Sequence, residues 1–229
     1  MKQYLIVLIL IYSVLQTACK NENPDLPRYL MLKTEEKMIV DGNLDESSWQ
    51  KAGLIQFKLN DTGGTIDDSA LLTIGKGCYD DENIYFAFNC NDPDIWCNFT
   101  ERDEHLWKEE VIELFIDTDD NPENYIEIEI SPSNVLFDSF IVDPQKIDFT
   151  ETAKFNLRGI KTAVKVDGTL NKRDDLDRNW TVEISIPFSD LTRDKSFDEN
   201  RLGNWRINFY RVNRDLGKED GKYAWSPTL

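Results

Sequence analysis

Histidine occurs once in the 229 residues, at His105, and cysteine four times, at Cys19, Cys78, Cys90 and Cys97. With so few imidazoles and thiols and no CxxC pair, a zinc site is not expected, and one histidine gives little to ligate haem. GxSxG, HExxH, P-loop and GxGxxG patterns are also absent. The short motifs of serine hydrolases, zinc peptidases, nucleotide hydrolases and dinucleotide binders are therefore missing, and no organic cofactor is expected. His105 has no triad partners in a recognisable motif and reads as a rim residue. Positive charge is scarce: 26 Lys and Arg stand against 43 Asp and Glu, a net charge of −17. Such a surface repels phosphate backbones, so no nucleic acid is expected as partner, while divalent cations and neutral polyols suit it better. Long apolar runs are missing too. The one sustained run, Leu5 to Leu15, falls short of the roughly 20 residues a membrane span needs.

That run follows Lys2 and precedes Thr17-Ala18-Cys19, the layout of a secretory signal. Small residues before a cysteine resemble a bacterial lipobox, although Gln16 stands where an aliphatic residue is usual. The resemblance implies a lipoprotein signal over residues 1–18, acylation of Cys19 and anchoring to a membrane through that lipid. An ordinary cleaved signal with a chance cysteine is the alternative. Residues 19–35 read as a tether, and its acidic, Asn-rich start resembles the surface-export signals of some Gram-negative lipoproteins. The expected location is the bacterial outer membrane or cell surface. With 40% hydrophobic and 11% aromatic residues the remainder can bury a sizeable core, and residues 36–229 are read as one domain. Beyond Cys19 three cysteines remain, so at least one stays free, and Cys90–Cys97 is the expected disulfide.

Strand signals dominate. Lys37 to Val40 reads as a short strand ending at Asp41-Gly42, and Asn43 as the cap of a brief helix over Leu44 to Ala52 with Trp49 inward. Ala70 to Tyr79 and Asn83 to Asn91 flank Asp80-Asp81-Glu82 as a hairpin. Further strands are expected at Glu110 to Asp117, Tyr125 to Ser131, Val135 to Val142, Trp180 to Ile186 and Trp205 to Val212. In Tyr125 to Ser131 the alternation is strict, with Ile126, Ile128 and Ile130 against Glu127 and Glu129. Alternation of that kind marks antiparallel strands with one wet face. About ten such strands, with one or two short helices, make an all-β antiparallel β-sandwich of jelly-roll or immunoglobulin-like type.

Six segments in this order resemble the family 9 carbohydrate-binding modules, a DOMON-like sandwich family. They are IVDGNLDESSW, YDDENIYFAFNCND, LWKEEVIELFIDTDDNPENYIEIEISPSNVLFD, WTVEISIPFSDL, WRINFYRVNRD and YAWSPT, and the resemblance covers roughly residues 36–228. The resemblance implies a module that binds a mono- or oligosaccharide without cleaving it, in support of glycan capture or catabolism. Trp107 falls on one of the family's two stacking tryptophans and Glu113 on its hydrogen-bonding glutamate. The family's arginine and asparagine become Glu129 and Ser131, and its glutamine becomes Tyr210. The second stacking tryptophan would lie past WSPT, where the chain stops at Leu229; either a final strand is missing or another residue does that work. These departures argue against the family's preference for sugar chain ends. The family also often holds structural calcium. The run Asp117, Asp119, Asn121 and Glu123 puts oxygen ligands at alternate positions, though Pro122 stands where an EF-hand needs glycine.

Sugar recognition needs a flat aromatic face for the ring's C–H surface and bidentate acceptors for its hydroxyls. Trp107 can supply the first, and Glu113 is the best polar contact. Trp96, in a loop after a strand, and Arg206, which can neutralise a carboxylate, complete the candidate contacts. Glu113, Glu127, Glu129 and Glu183, with Arg206, Asn208 and Tyr210, are expected on one solvated sheet face. Each aromatic has a plainer reading: Trp107 as sandwich rim, Trp96 as a cap over its end. Trp49, Trp180, Trp205 and Trp225 read as core. The same sandwich could instead dock an envelope protein partner, since fold does not fix function. Glycoside hydrolysis, which needs two carboxylates about 5–10 Å apart, is the lesser alternative.

Overall fold

A computed structural model of the chain describes residues 26–119, 121, 123–192, 205–215 and 221–228. The signal segment, the acylation site expected at Cys19 and the tether up to residue 25 lie outside the described residues. Among these residues twelve strands form two sheets. The first runs β1 (Leu32–Lys33), β4 (Thr73–Tyr79), β5 (Asn83–Asn91), β10 (Asn179–Pro187) and β9 (Lys161–Asp167), with β2 (Ile55–Gln56) also paired to β4. The second runs β3 (Lys58–Leu59), β12 (Gly221–Ala224), β11 (Arg206–Asn213), β6 (Val111–Asp117), β7 (Tyr125–Ile130) and β8 (Leu136–Ile141). Every pairing is antiparallel except β1 with β4. Among the described residues three short α-helices accompany them, α1 (Ser47–Lys51), α2 (Phe149–Thr152) and α3 (Phe188–Leu191). This is the all-β sandwich expected from the strand pattern.

Alternation places the core. Ile112, Leu114 and Ile116 pair with Ile130, Ile128 and Ile126, and Phe209 sits opposite Leu114. These side chains meet Ile84, Phe86 and Phe88 of β5 and Val182, Ile184 and Ile186 of β10 in one buried cluster. Phe209 bridges the layers, with its ring 5.2 Å from Phe86 and 5.4 Å from Phe88. Each such side chain stabilises the fold by roughly 1.5–3 kcal/mol through burial. Gly75 is required here, because a Cβ would lie 2.6 Å from the Phe88 ring.

Several local expectations fail. Residues 37–40 form no strand, and Asn43 caps nothing; its amide groups donate to Asp41 Oδ1 instead. Chain 34–52 is a strap over the outer face of the first sheet. Its anchor is Glu183, which accepts from Asp41 N, Gly42 N and Trp49 Nε1 at 2.8–2.9 Å. Gly42, at φ +84°, passes so close to β9 that a Cβ would stand 3.1 Å from the backbone of Val164 and Lys165. Glu183 therefore belongs to the opposite sheet from Glu113, Glu127 and Glu129. The expected wet face is not wet: Glu113 is 7%, Glu127 8% and Glu129 0% exposed. The disulfide is absent as well, since Cys78, Cys90 and Cys97 are free and buried. Burial pushes the Cys78 and Cys90 thiols up to about 12, so neither supplies a reactive thiolate.

Candidate functional site

The outward face of the second sheet carries the chemistry. Antiparallel register lines up Lys58, Ala224, Tyr210, Glu113, Glu129 and Phe137 in one row across its six strands. The next row along holds Asn208, Phe115, Glu127 and Ser139. Over the β7–β8 side lie the 3-10 turn Leu106–Lys108 and α2, which bury an apolar patch of Leu106, Val111, Val135, Phe137 and Val212. Trp107 packs there edge-on to Phe137 at 5.4 Å, tilted on Phe149 at 4.5 Å and stacked on His105 at 4.4 Å. His105 thus joins the aromatic rim, as its sequence context suggested.

Between this roof and β12 opens a cavity of about 260 Å³, lined by Trp107, Glu113, Tyr210, Val212, Arg214, Asn60 and Lys222 together with Arg211. Three residues singled out from sequence, Trp107, Glu113 and Tyr210, meet at it. The Tyr210 hydroxyl donates to Thr228 Oγ1 at 2.8 Å, and Thr228 N donates to Asn60 Oδ1 at 3.0 Å, so the segment after β12 closes one wall.

Four others stand elsewhere. Glu129 stands directly across from Glu113 on β7, fully buried and away from the cavity lining. Ser131 clasps a turn through Ser133 Oγ and Val135 N, at 2.9 and 3.1 Å. Arg206 lies opposite Asp117, four residues from Tyr210 and so about 13 Å along β11. Trp96 is a buttress: its Nε1 donates to the Arg214 carbonyl at 2.9 Å, and Arg173 lies 4.2 Å over its ring. Arg173 donates to the same carbonyl at 2.9 Å and is held by both oxygens of Asp94. Glu110 accepts from Arg214 N, and Arg214 Nη2 donates to the Trp107 carbonyl at 3.1 Å. Asn60, Arg214 and Lys222 went unnoticed in the sequence; β3 and β12 are too short for periodicity to single out Asn60 and Lys222.

Beneath the cavity, Arg211 points into the sandwich. It is fully buried and pairs with Asp92 at 2.9 Å, Thr73 Oγ1 at 3.0 Å and the Asn91 carbonyl at 2.7 Å. β11 is thereby tied to the first sheet directly behind Tyr210 and Val212.

Burial, then the neighbouring Glu127, pushes the Glu113 carboxyl up to about 8, against the pull of Arg214 and Lys222. Burial raises Glu127 to about 7, and burial with Glu113 and Glu127 holds Glu129 well above the usual range. At neutral pH Glu113 is thus mostly protonated and offers one donor and one acceptor to a ligand hydroxyl.

The acidic turn after β6 fits a hard cation in part. Asp117 Oδ1 accepts from Asp119 N and Asn121 N, Asp119 Oδ1 from Asn121 N, and Asn121 Oδ1 from Glu123 N. Asp117 Oδ2 is buried without a hydrogen-bond partner. Among the described residues no group of three or more His, Cys, Asp or Glu is arranged to hold a metal ion.

A two-sheet antiparallel sandwich with an aromatic-roofed, hydroxyl- and carboxyl-lined cavity on one outer face has the architecture of a β-sandwich binding module. Comparison with known proteins makes this specific. Residues 40–228 match the family described as carbohydrate family 9 binding domain-like, and the chain belongs to that family. An extracellular protein of the fungus Arthroderma benhamiae is 29% identical over 140 residues, 59% of this chain and 60% of the relative's own length. Among solved structures, a protein of Bacteroides uniformis named as a candidate carbohydrate binder superposes with TM-score 0.62 at 12% identity, covering 86% of this chain and 88% of that one. A family 9 module of Caldicellulosiruptor kristjanssonii in complex with cellotriose gives TM-score 0.55 at 13% identity, covering 86% and 83%. The glucose complex from the same organism gives 0.55 at 12%, covering 87% and 91%. At these identities the superpositions establish the fold.

The buried carboxyls predict how stability depends on pH. Glu113 and Glu127 hold protons in the folded state at pH values where the unfolded chain, with ordinary carboxyls near 4.5, has released them. The folded state then binds more protons, so stability falls as pH rises from about 4.5 through about 8. Urea midpoints should decline steadily from pH 5.5 to 8.5, and Glu113→Gln should recover about 1–2 kcal/mol at the alkaline end. A midpoint that rises with pH over this window contradicts the assignment.

Proposed function

We propose that this protein is a non-catalytic carbohydrate-binding module whose cavity seats a sugar ring against Trp107 and its hydroxyls against Glu113, Asn60 and Tyr210. The observation that carries this reading is the meeting of Trp107, Glu113 and Tyr210 at one cavity in a member of family 9. Its volume is close to the lower end of small-ligand sites, roughly 300–1,000 Å³. The cellotriose- and glucose-bound relatives make β-glucans the first ligands to try. A binding role is supported further by where the carboxyls stand. Glu113, Glu127 and Glu129 crowd together on two neighbouring strands of one sheet, and only Glu113 lines the cavity, whereas hydrolysis needs carboxyls flanking the scissile bond. We also propose that Cys19 is acylated and holds the module at a bacterial envelope surface, on the strength of the lipobox-like sequence alone. In the turn over residues 117–123 the reading includes a structural calcium ion, supported by the unpartnered Asp117 Oδ2.

Calorimetric titration with cellotriose and a wider glycan panel tests the site. Trp107→Ala should weaken binding at least about ten-fold with the circular dichroism unchanged. Glu113→Gln should keep most of the affinity, because an amide also donates and accepts, and Glu113→Ala should not. Equal affinity in wild type and Trp107→Ala refutes this location. For calcium, the melting temperature should be higher with the ion than with chelator; identical melting removes calcium from the account.

A further inference from the structure

The charge of the cavity lining runs against that of the molecule. In a chain of net charge −17, the β3–β12–β11 end of the outward face presents cations. Lys222 lines the cavity from β12, directly opposite Val212, and Arg214 lines it two residues further along the chain. Lys58 extends the row that holds Tyr210 and Glu113. Lys222 and Lys58 are exposed, and neither forms an ion pair with a described residue. Among the described residues the one carboxyl on the lining is Glu113. It stands directly opposite Glu129 and diagonal to Glu127, and like charges crowded in a buried row cannot all ionise. Its proton at neutral pH fits that geometry. Asp61, next to Asn60, is exposed and does not line the cavity.

Arg214 is also unusually fixed for a cavity cation. Its amide is held by Glu110, its carbonyl by both Trp96 and Arg173, and its guanidinium reaches the Trp107 carbonyl. Glu110, Trp96 and Arg173 are not among the lining residues and serve a backbone that carries a cation to the cavity. A neutral polyol needs donors and acceptors but no cations among them, whereas a carboxylate or sulfate group is recognised by guanidinium and ammonium groups such as those of Arg214 and Lys222.

We propose that the cavity selects a saccharide bearing an anionic substituent, a carboxylate or a sulfate ester, with that group against Lys222 and Arg214 and a ring against Trp107. The proposal deepens the carbohydrate-binding reading and rests on it. The test is calorimetric titration of the purified protein with three probes: cellotriose, its C6-oxidised uronate counterpart, and its 6-sulfated counterpart. An anionic probe should bind more tightly than cellotriose, and raising the salt should shrink the difference. Lys222→Gln should cut the ratio of anionic to neutral affinity by about three- to five-fold, as for a partly exposed ion pair. Lys154→Gln, at an exposed lysine on the α2 side, should leave the ratio unchanged. Which anionic probe gains more separates uronate from sulfate recognition. Tighter binding of cellotriose than of both anionic probes overturns this inference and leaves the sugar site standing. An anionic preference untouched by Lys222→Gln overturns it as well. Binding of none of the three, nor of any other neutral or acidic glycan, ends both readings.

Discussion

Three glutamates facing one another on the second sheet constrain the rest of the site. β7 sets Glu129 directly across from Glu113, about 5 Å away, and Glu127 on the diagonal, about 7–8 Å away. No cation occupies their cross-strand rows between Tyr210 and Phe137. Such a cluster is tolerable if it is open to water or if it keeps its protons, and here it is covered. The cover of Trp107 and Phe149 raises the pKa of all three carboxyls through burial, and the roof's unfilled edge, at Glu113, is the cavity. The recognition surface and the buried carboxyls are therefore one feature seen from two sides.

Two polar clamps keep that arrangement in register. Arg211 and Asp92 form a fully buried pair that locks β11 to the first sheet behind the cavity floor. Buried pairs of this kind add little net stability over apolar residues, but losing one partner strands a charge at a cost of about 3–5 kcal/mol. At the other side, Trp96 and Arg173 fix Arg214, and Arg214 in turn fixes the backbone of Trp107. An aromatic that stacks a ligand works best when its own position is settled in advance. The clamp residues lie mainly in loops, which explains how short irregular segments can hold a site to one geometry.

Much of the sandwich could be read from periodicity. The isoleucine–glutamate alternation of β7 identified the strand and which side chains enter the core, and the hairpin around Asp80 has the expected turn and second strand, its first strand starting at Thr73 rather than Ala70. Alternation reports polarity and says nothing of what later covers the polar side. Glu127 and Glu129 were therefore placed in water when the 3-10 turn and α2, both short and lacking a helical signature, close over them. Trp107 and Glu113 were found through family likeness. Trp96 looked like a ligand contact because an aromatic in a loop carries the same signature whether it faces solvent or braces a carbonyl. Lys222 and Asn60 had no signal at all, since their place at the cavity depends on the pairing of β12 with β11 and β3.

The measurement that bears most directly on the account is nuclear magnetic resonance of the tryptophan indole N–H signals during saccharide titration. Trp49 has its indole N–H group committed to Glu183, and Trp180 is wholly buried on the far side of β11, so they are internal references. The account predicts that the Trp107 signal shifts and saturates with ligand while those of Trp49 and Trp180 stay in place. A Trp107 signal unmoved by a saccharide that binds would contradict it.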